Sequence, residues 1–137
     1  MVWYDRRPVL YVMHRADGWH KIGHCFGTAE RRVKPIRFSV SSEMRPVTLV
    51  HEVPVASSVT ILEVMAHYEM EKMGFQRWDG RGGREWFNAS ADDCMAAIAA
   101  AIIRQQEIGD HGWFRERTRR YLQKRSEFGS RVTTQRT

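Results

Sequence analysis

The sequence feature that constrains the fold most is a pair of short apolar runs that flank a turn within residues 8–23. The first run, residues 8–13, is rich in β-branched and aromatic side chains, which suit a half-buried pleated surface. Asp17 and Gly18 supply the turn, because glycine tolerates positive φ and aspartate hydrogen-bonds its own backbone. Residues 19–22 then return as a second run. The pattern predicts a β-hairpin.

The polar side chains of this hairpin that could share one site are Tyr11 in the first strand and Lys21 in the second. Alternate residues of a strand share a face, so Tyr11 lies with Met13, and Lys21 lies with Gly23. The strand register decides whether these two faces coincide. Taken alone, the hairpin favours a buried tyrosine beside a solvent-exposed lysine, and a shared site requires support from residues further along the chain.

A short helix and an irregular segment are expected after the hairpin. Thr28 can cap a helix over residues 29–34, and Pro35 is expected to end it. Residues 36–46 alternate only weakly between apolar and polar side chains, which indicates a loop or an irregular strand.

The remaining segments mix strands and helices. Residues 47–55 are the clearest strand, and Pro54 marks its end or an edge position, since proline cannot donate to a ladder. An apolar stripe at helical spacing spans residues 59–73. Residues 85–88 resemble a short strand, and an alanine-rich helix spans about residues 90–106. The order predicts an α+β fold.

The positive charge of the chain is concentrated towards its C-terminal end. The net charge is +6, and the whole excess lies in residues 111–137. Basic segments of this kind commonly contact nucleic-acid phosphates, although solubility is an equally ordinary use. The candidate phosphate contacts are Arg115, Arg117, Arg119, Arg120, Lys124 and Arg125.

Composition argues against several other classes of protein. No apolar run is long enough for a transmembrane helix, and charged residues at positions 5–7 interrupt any signal peptide, so we expect no membrane association and a cytoplasmic location. Cys25 and Cys94 have no second cysteine at ligand spacing and are expected to be free thiols. The glycine-rich residues 79–83 lack the strand and helix context of a P-loop, so we expect no nucleotide cofactor.

Five short motifs occur in a fixed order: Leu10-Tyr11-Val12, Lys21-Ile22-Gly23, Arg32-Val33, Leu62-Glu63 with His67, and Arg84-Glu85-Trp86-Phe87. In this order they resemble the GIY-YIG endonuclease superfamily, and more narrowly its phage T5orf172 and MUG113-type branch, whose members often carry a lysine in place of the second tyrosine. The resemblance implies a small antiparallel sheet of about three strands flanked by helices. It covers about residues 9–103, and together with the charge distribution it leads us to expect a nuclease-like domain over residues 1–108, followed by a basic arm over residues 109–137.

The chemistry implied by the resemblance is hydrolysis of double-stranded DNA with one divalent metal, Mg²⁺ or Mn²⁺. Tyr11 matches a tyrosine that deprotonates or orients the attacking water. Lys21 matches the second tyrosine position, where a cation could hold the scissile phosphate or lower the pKa of Tyr11. Arg32 matches an arginine that stabilises charge on the phosphate, Glu63 matches the glutamate that binds the metal, and Asn88 matches an asparagine that orients substrate.

These roles agree with elementary chemistry. A phosphodiester gathers negative charge in the transition state, so fixed cationic donors and an oxygen-bound metal lower the barrier. Magnesium keeps several waters and needs only one or two carboxylates. A tyrosine titrates near pH ~10, so Tyr11 could act as a base only if a neighbouring positive charge lowered its pKa.

Several alternatives stay open at this point. Glu85 rivals Glu63 for the carboxylate role, and His24 or His67 could replace a histidine that some family members place one turn after the arginine. Arg31 and Arg32 point about 100° apart on a helix, so only one of them can face the hairpin.

The function also has two alternatives. Lys21 leaves open a catalytically inactive module that only binds nucleic acid. The methionine-rich apolar helix leaves open a protein-interaction module on the same scaffold.

Overall fold

The predicted hairpin forms the centre of the sheet. The computed structural model describes residues 7–56, 58–80, 83 and 85–135, with side chains described as far as residue 117 and at 119 and 123. Strand β1 (Pro8–Arg15) pairs antiparallel with β2 (His20–Phe26). Gly18 has φ +94°, and its amide donates to the Arg15 carbonyl, which closes the turn. The hairpin prediction is confirmed.

Helix α1 (Glu30–Ser39) runs through Pro35, so the expectation that proline ends this helix is wrong. A proline inside a helix removes one backbone hydrogen bond and costs about 3 kcal/mol. Ile36 and Val40 lie beyond the proline and are buried in the core. Burial of an aliphatic side chain contributes about 1.5–3 kcal/mol, so the two together offset the cost of the proline.

The cap of α1 also differs from the expectation. Ala29 and not Thr28 occupies the N-cap position, and it has no side chain that could cap the helix. Its backbone amide donates instead to Glu52 Oε1, 2.8 Å away. A carboxylate from a neighbouring strand therefore satisfies the start of this helix and complements its dipole.

Four strands make the sheet, as the segments predict and one more than the family resemblance implies. A short 3-10 helix (Ser42–Met44) leads into β3 (Val47–Pro54), and the last strand is β4 (Trp86–Phe87). The strand order is β3-β1-β2-β4, with antiparallel pairing throughout. β3 is an edge strand, which agrees with the position of its proline.

Two longer helices complete the described chain. Helix α2 (Val59–Lys72) contacts β1 and β2, and Gly74 follows it with φ +89°. Helix α3 (Ala91–Gln135) is interrupted at Gly109, whose φ and ψ of 65° and −178° are not helical. Across the described residues, no helix combines the length and the apolar character needed to cross a membrane.

The chain divides into two compact units, the second of which begins at Arg104. Within this second unit the Arg104 guanidinium makes a bidentate ion pair with the Glu116 carboxylate. The expected division of the chain at residues 108 and 109 stays a prediction.

The two faces of the sheet carry different side chains. One face contains Tyr11, Met13 and Trp86, which pack against residues of α1. Leu10, Val12 and Ile22 alternate with these residues and are fully buried. Because β1 is covered on both faces, it is apolar almost throughout, like the buried strands of larger sheets.

Arg15 is fully buried at the turn end of the hairpin. Its guanidinium makes two hydrogen bonds to the Asp17 carboxylate, at 2.7 and 2.6 Å. Three indole rings surround it, with centroids 4.4–5.3 Å away, from Trp19, Trp78 and Trp86. The guanidinium therefore holds the hairpin turn against Trp78 and against Trp86 of β4, because a desolvated cation is attracted to aromatic faces.

We expect Arg15→Lys to destabilise the fold by about 1–3 kcal/mol, because an ammonium cannot make the bidentate pair or stack on planar rings. Urea unfolding measures the effect. The matched control is Arg45→Lys, since Arg45 stacks on the exposed ring of Phe38 and donates to the Arg37 and Val40 carbonyls without a carboxylate partner among the described residues, and it should contribute less than about 1 kcal/mol. Equal losses at the two positions would contradict a special role for the buried cluster.

Candidate active site

The strand register brings Tyr11 and Lys21 to the same face of the sheet. Tyr11 lies opposite Gly23, and Met13 lies opposite Lys21. Cross-strand partners point to the same side, and so do residues two apart in one strand. The two polar side chains are therefore diagonal neighbours, as a shared site requires.

The phenol ring of Tyr11 lies directly across Gly23. A Cβ atom at position 23 would approach Tyr11 Cζ and Oη to 2.3 Å, which is far inside van der Waals contact. Gly23 is thus required by the close approach of the ring, since its own φ is not positive. The Tyr11 hydroxyl shares a hydrogen bond with the Arg32 side chain, which reaches it from α1.

The electrostatic surroundings keep Tyr11 protonated. Burial raises its pKa to about 12, the Arg32 hydrogen bond opposes this, and the negative charge of Glu85 adds to it. Arg32 therefore does not bring the pKa of Tyr11 below its ordinary value, and a lowering by a bound metal stays a prediction. A neutral phenol can orient a water or a phosphate oxygen, but it does not act as a base.

Lys21 is buried, with 9% of its surface exposed, and it is paired with Glu85. The distance from Lys21 Nζ to Glu85 Oε2 is 2.5 Å. Burial alone would raise the pKa of Glu85, but the Lys21 charge and hydrogen bond outweigh it, so the pKa of this carboxyl lies below its usual range. The hairpin alone favours a solvent-exposed lysine. In the structure Lys21 is instead buried and paired with a carboxylate.

Glu63 on α2 reaches the Lys21–Glu85 pair from the other side of β2. Its Oε2 is hydrogen-bonded to His24 Nδ1, its Oε1 lies 4.0 Å from His67 Nε2, and its carboxyl is hydrogen-bonded to Glu85. Burial, together with the charge of Glu85, raises the pKa of Glu63 above its ordinary value despite His24 and Lys21. The site therefore resists holding both carboxylates ionised.

His67 has a structural role beside this cluster. Among the described residues, the pairing of β4 with β2 ends at Lys21, so the edge of β2 beyond it has no strand partner there. His67 Nε2–H donates to the Ile22 carbonyl there, at 2.8 Å, and burial lowers the pKa of His67. A neutral histidine thus caps the strand edge and directs α2 against it.

The other predicted site residues do not join the cluster in the same way. Arg31 and Arg32 are both exposed on α1, and Arg32 is hydrogen-bonded to Tyr11. Asn88 is exposed after β4, and its backbone amide donates to the Gln76 carbonyl. Arg84 of the last motif lies outside the described residues.

The arginines of the basic arm whose side chains are described are solvent-exposed. Arg115, Arg117 and Arg119 are exposed on α3. The side chains of Arg120, Lys124 and Arg125 lie outside the described residues. Their role in binding nucleic acid stays a prediction.

The donor set suits a divalent cation with oxygen ligands. Within the part of the chain that the structure describes, no three His, Cys, Asp and Glu side chains are arranged to hold a metal by themselves. Mg²⁺ does not need such a cage, because it keeps several waters and binds through one or two carboxylates. Glu63 and Glu85 meet at hydrogen-bonding distance and fit that requirement on chemical grounds.

Sequence reasoning missed the pairing of Lys21 with Glu85. Glu85 was considered only as a rival metal ligand, although Lys21 and Trp86 are cross-strand partners and Glu85 directly precedes Trp86. A lysine in a strand that is otherwise buried is a signal that a carboxylate lies nearby. The hydrogen bond from His24 to Glu63 has no comparable local signal, since 39 residues separate the two.

The sequence matches the profile of a family described as the T5orf172 domain, over residues 9–102. The match spans more than half of the chain and includes every site residue between Tyr11 and Asn88. It confirms the resemblance inferred from the five motifs. No curated protein and no solved structure matches the chain.

We expect Gly23→Ala to destabilise the fold by about 1–3 kcal/mol, because the added methyl group displaces the Tyr11 ring. A double-mutant cycle with Tyr11→Ala tests this cause. If the ring is the obstacle, Gly23→Ala costs much less once the ring has been removed. Additive losses in urea unfolding would show that Gly23 is required for another reason.

Proposed function

Because the chain belongs to the T5orf172 domain family, we propose that it is a metal-dependent endonuclease that hydrolyses phosphodiester bonds of double-stranded DNA. The family is associated with nucleases and with interaction with nucleic acid. The observation that carries the finer proposal is the convergence of Tyr11, Lys21, Arg32 and two glutamates on one end of β2. Cationic donors beside a carboxylate pair are the groups that phosphodiester hydrolysis requires.

The positive side chains would bind and stabilise the phosphate. Lys21 Nζ and the Arg32 guanidinium carry fixed positive charge at positions set by a strand and by a helix. In the transition state, negative charge grows on the non-bridging oxygens, and preformed donors stabilise it without reorganising. Since Lys21 is buried, its interaction with a phosphate is weakened less by water than that of a surface lysine.

Tyr11 would orient the reacting groups as a neutral hydrogen-bond donor. Its hydroxyl accepts from Arg32 and keeps its own proton, because its pKa is about 12. The Gly23 backbone leaves room for the ring and fixes its position. The raised pKa supports the orienting role.

Glu63 and Glu85 would hold the divalent cation. When bound, Mg²⁺ or Mn²⁺ supplies a Lewis acid that neutralises phosphate charge and lowers the pKa of a coordinated water. His24 fixes one oxygen of Glu63, which leaves the orientation of the other oxygen defined. Such secondary hydrogen bonds generally orient metal-binding carboxylates.

The nucleic-acid-binding module without activity is the second candidate, and one observation favours it. Lys21 is already neutralised by Glu85, as it would be in a site that had lost its chemistry. The protein-interaction module has less support, because Met65 and Met70 of α2 are fully buried in the core and offer no surface to a partner.

We expect the protein to nick supercoiled plasmid in the presence of Mg²⁺ or Mn²⁺, and Glu63→Gln to lower the rate by about 10²-fold or more. The variant should fold, because the raised pKa of Glu63 shows that burial opposes its charge. The matched control is Glu69→Gln, since Glu69 is also buried on α2 but pairs with Lys72. It should retain activity.

Two outcomes of the nicking assay would redirect the proposal. Equal cleavage by the wild type and by Glu63→Gln would show that Glu63 does not hold the metal. Absence of cleavage together with a gel shift by both proteins would establish the binding module instead.

We expect replacement of Arg115, Arg117 and Arg119 by glutamine to weaken DNA binding and to lower the salt slope by up to about 3, since each lost phosphate contact removes about 0.9. Fluorescence anisotropy across a salt series measures the slope. Cleavage of a short duplex at saturating concentration serves as the control and should be unchanged. An unaltered slope would remove the basic arm from DNA binding.

A further inference from the structure

The Lys21 ammonium lies at a position where a pair of carboxyl groups needs a positive charge. Lys21 is a buried residue, and its Nζ lies 2.5 Å from Glu85 Oε2. A buried lysine is rare unless it is paired. The pair is asymmetric, since 41% of the Glu85 side chain is exposed against 11% of the Lys21 side chain. Glu85 is therefore the partner that solvent and ions can reach.

Glu85 also contacts the carboxyl of Glu63 through a hydrogen bond. Two carboxyl groups at this separation must share a proton or a nearby cation, because they cannot both ionise unaided. Glu63 in turn is hydrogen-bonded to His24 Nδ1. Glu85 is thus linked on one side to Lys21 by an ion pair and on the other side to Glu63 by a hydrogen bond.

His67 does not supply the missing positive charge. Its Nε2–H is committed to the Ile22 carbonyl, and its ring packs 5.6 Å from that of Phe87. Among the side chains that the structure describes around the two glutamates, the permanently charged group in direct contact with Glu85 is Lys21. The lysine occupies the place of a counterion.

We propose that Glu63 and Glu85 form one divalent-cation site, and that the Lys21 ammonium occupies the Glu85 side of this site until a metal ion displaces it. The proposal rests on the function proposed above and assigns Glu85 a second task. Lys21 and the metal compete for Glu85. The competition makes the lysine available to a phosphate only when the metal is bound.

Competition of this kind couples metal binding to DNA binding. Without DNA, a displaced Lys21 would remain buried and unpaired, which opposes entry of the metal. A phosphate beside the metal replaces Glu85 as the partner of Lys21 and removes that obstacle. By linkage, DNA must then raise the affinity for the metal as much as the metal raises the affinity for DNA.

Mn²⁺ binding to the full chain without DNA tests the competition independently of activity. The free-ion signal in electron paramagnetic resonance gives the affinity. Lys21→Met should tighten binding by at least about fivefold, a typical lower limit for coupled sites. Glu85→Gln and Glu63→Gln should each weaken it. Lys72→Met is the matched control, since Lys72 pairs with Glu69 in the same manner on α2, and it should change nothing.

A second variant protects the test against misfolding. Lys21→Gln keeps a hydrogen-bond donor for Glu85 but removes the charge, and it should also tighten Mn²⁺ binding. Unchanged or weaker binding by both Lys21 variants would overturn the competition, and so would the absence of Mn²⁺ binding by every protein.

The outcome is separable from that of the nicking assay. Plasmid cleavage with unchanged Mn²⁺ affinity in the Lys21 variants would leave the proposed nuclease intact and reject the competition. The opposite outcome is tighter Mn²⁺ binding by the Lys21 variants together with no DNA cleavage by the wild type. It would support the competition and reject the nuclease.

Discussion

Tyr11 faces Gly23 and Met13 faces Lys21 across the central pair of strands, and every contact of the candidate site depends on this register. A slip of one residue would move Lys21 to the opposite face of the sheet, because side chains alternate along a strand. The close fit of the Tyr11 ring over Gly23 resists such a slip, since any other residue at position 23 would place a Cβ in the ring. The glycine thus fixes the register and the tyrosine at the same time.

Two buried cations of this small domain are stabilised in different ways. Arg15 is enclosed by a bidentate carboxylate and three indole rings, so its charge is well compensated and its role is structural. Lys21 is paired with Glu85, but the neighbouring carboxyl of Glu63 is less well compensated, because burial and the charge of Glu85 raise its pKa. Poorly compensated charge in one place is typical of functional sites. The contrast separates the two clusters without reference to any family.

Features of the fold that depend on local pattern could be predicted from the sequence. The hairpin, the edge position of the strand that contains Pro54 and the helix before Gly74 all follow from short-range signals. The extent of α1 could not be predicted, because Ile36 and Val40 stabilise it only through contacts with distant strands. Its cap could not be predicted either, since Glu52 lies 23 residues from the amide that it accepts from.

The same division applies to the site. Motif order was sufficient to select Tyr11, Lys21, Arg32 and Glu63, and the structure brings Arg32 to Tyr11 and Lys21 to the carboxylates. The protonation state of Tyr11 could not be predicted, because it depends on how burial compares with one hydrogen bond. The amino-acid sequence names the neighbours of a group but does not give the free energy of removing water from it.

A lysine in place of the second tyrosine changes what the rest of the site must contain. A phenol can be buried as a neutral group, whereas an ammonium at the same position needs an anion within contact distance. Glu85 meets this need from the segment that enters β4, next to the cross-strand partner of Lys21. On the competition proposed above, a nuclease and a silent binding module would differ not in the presence of Lys21 itself. They would differ in whether Glu85 releases Lys21 when a second cation arrives.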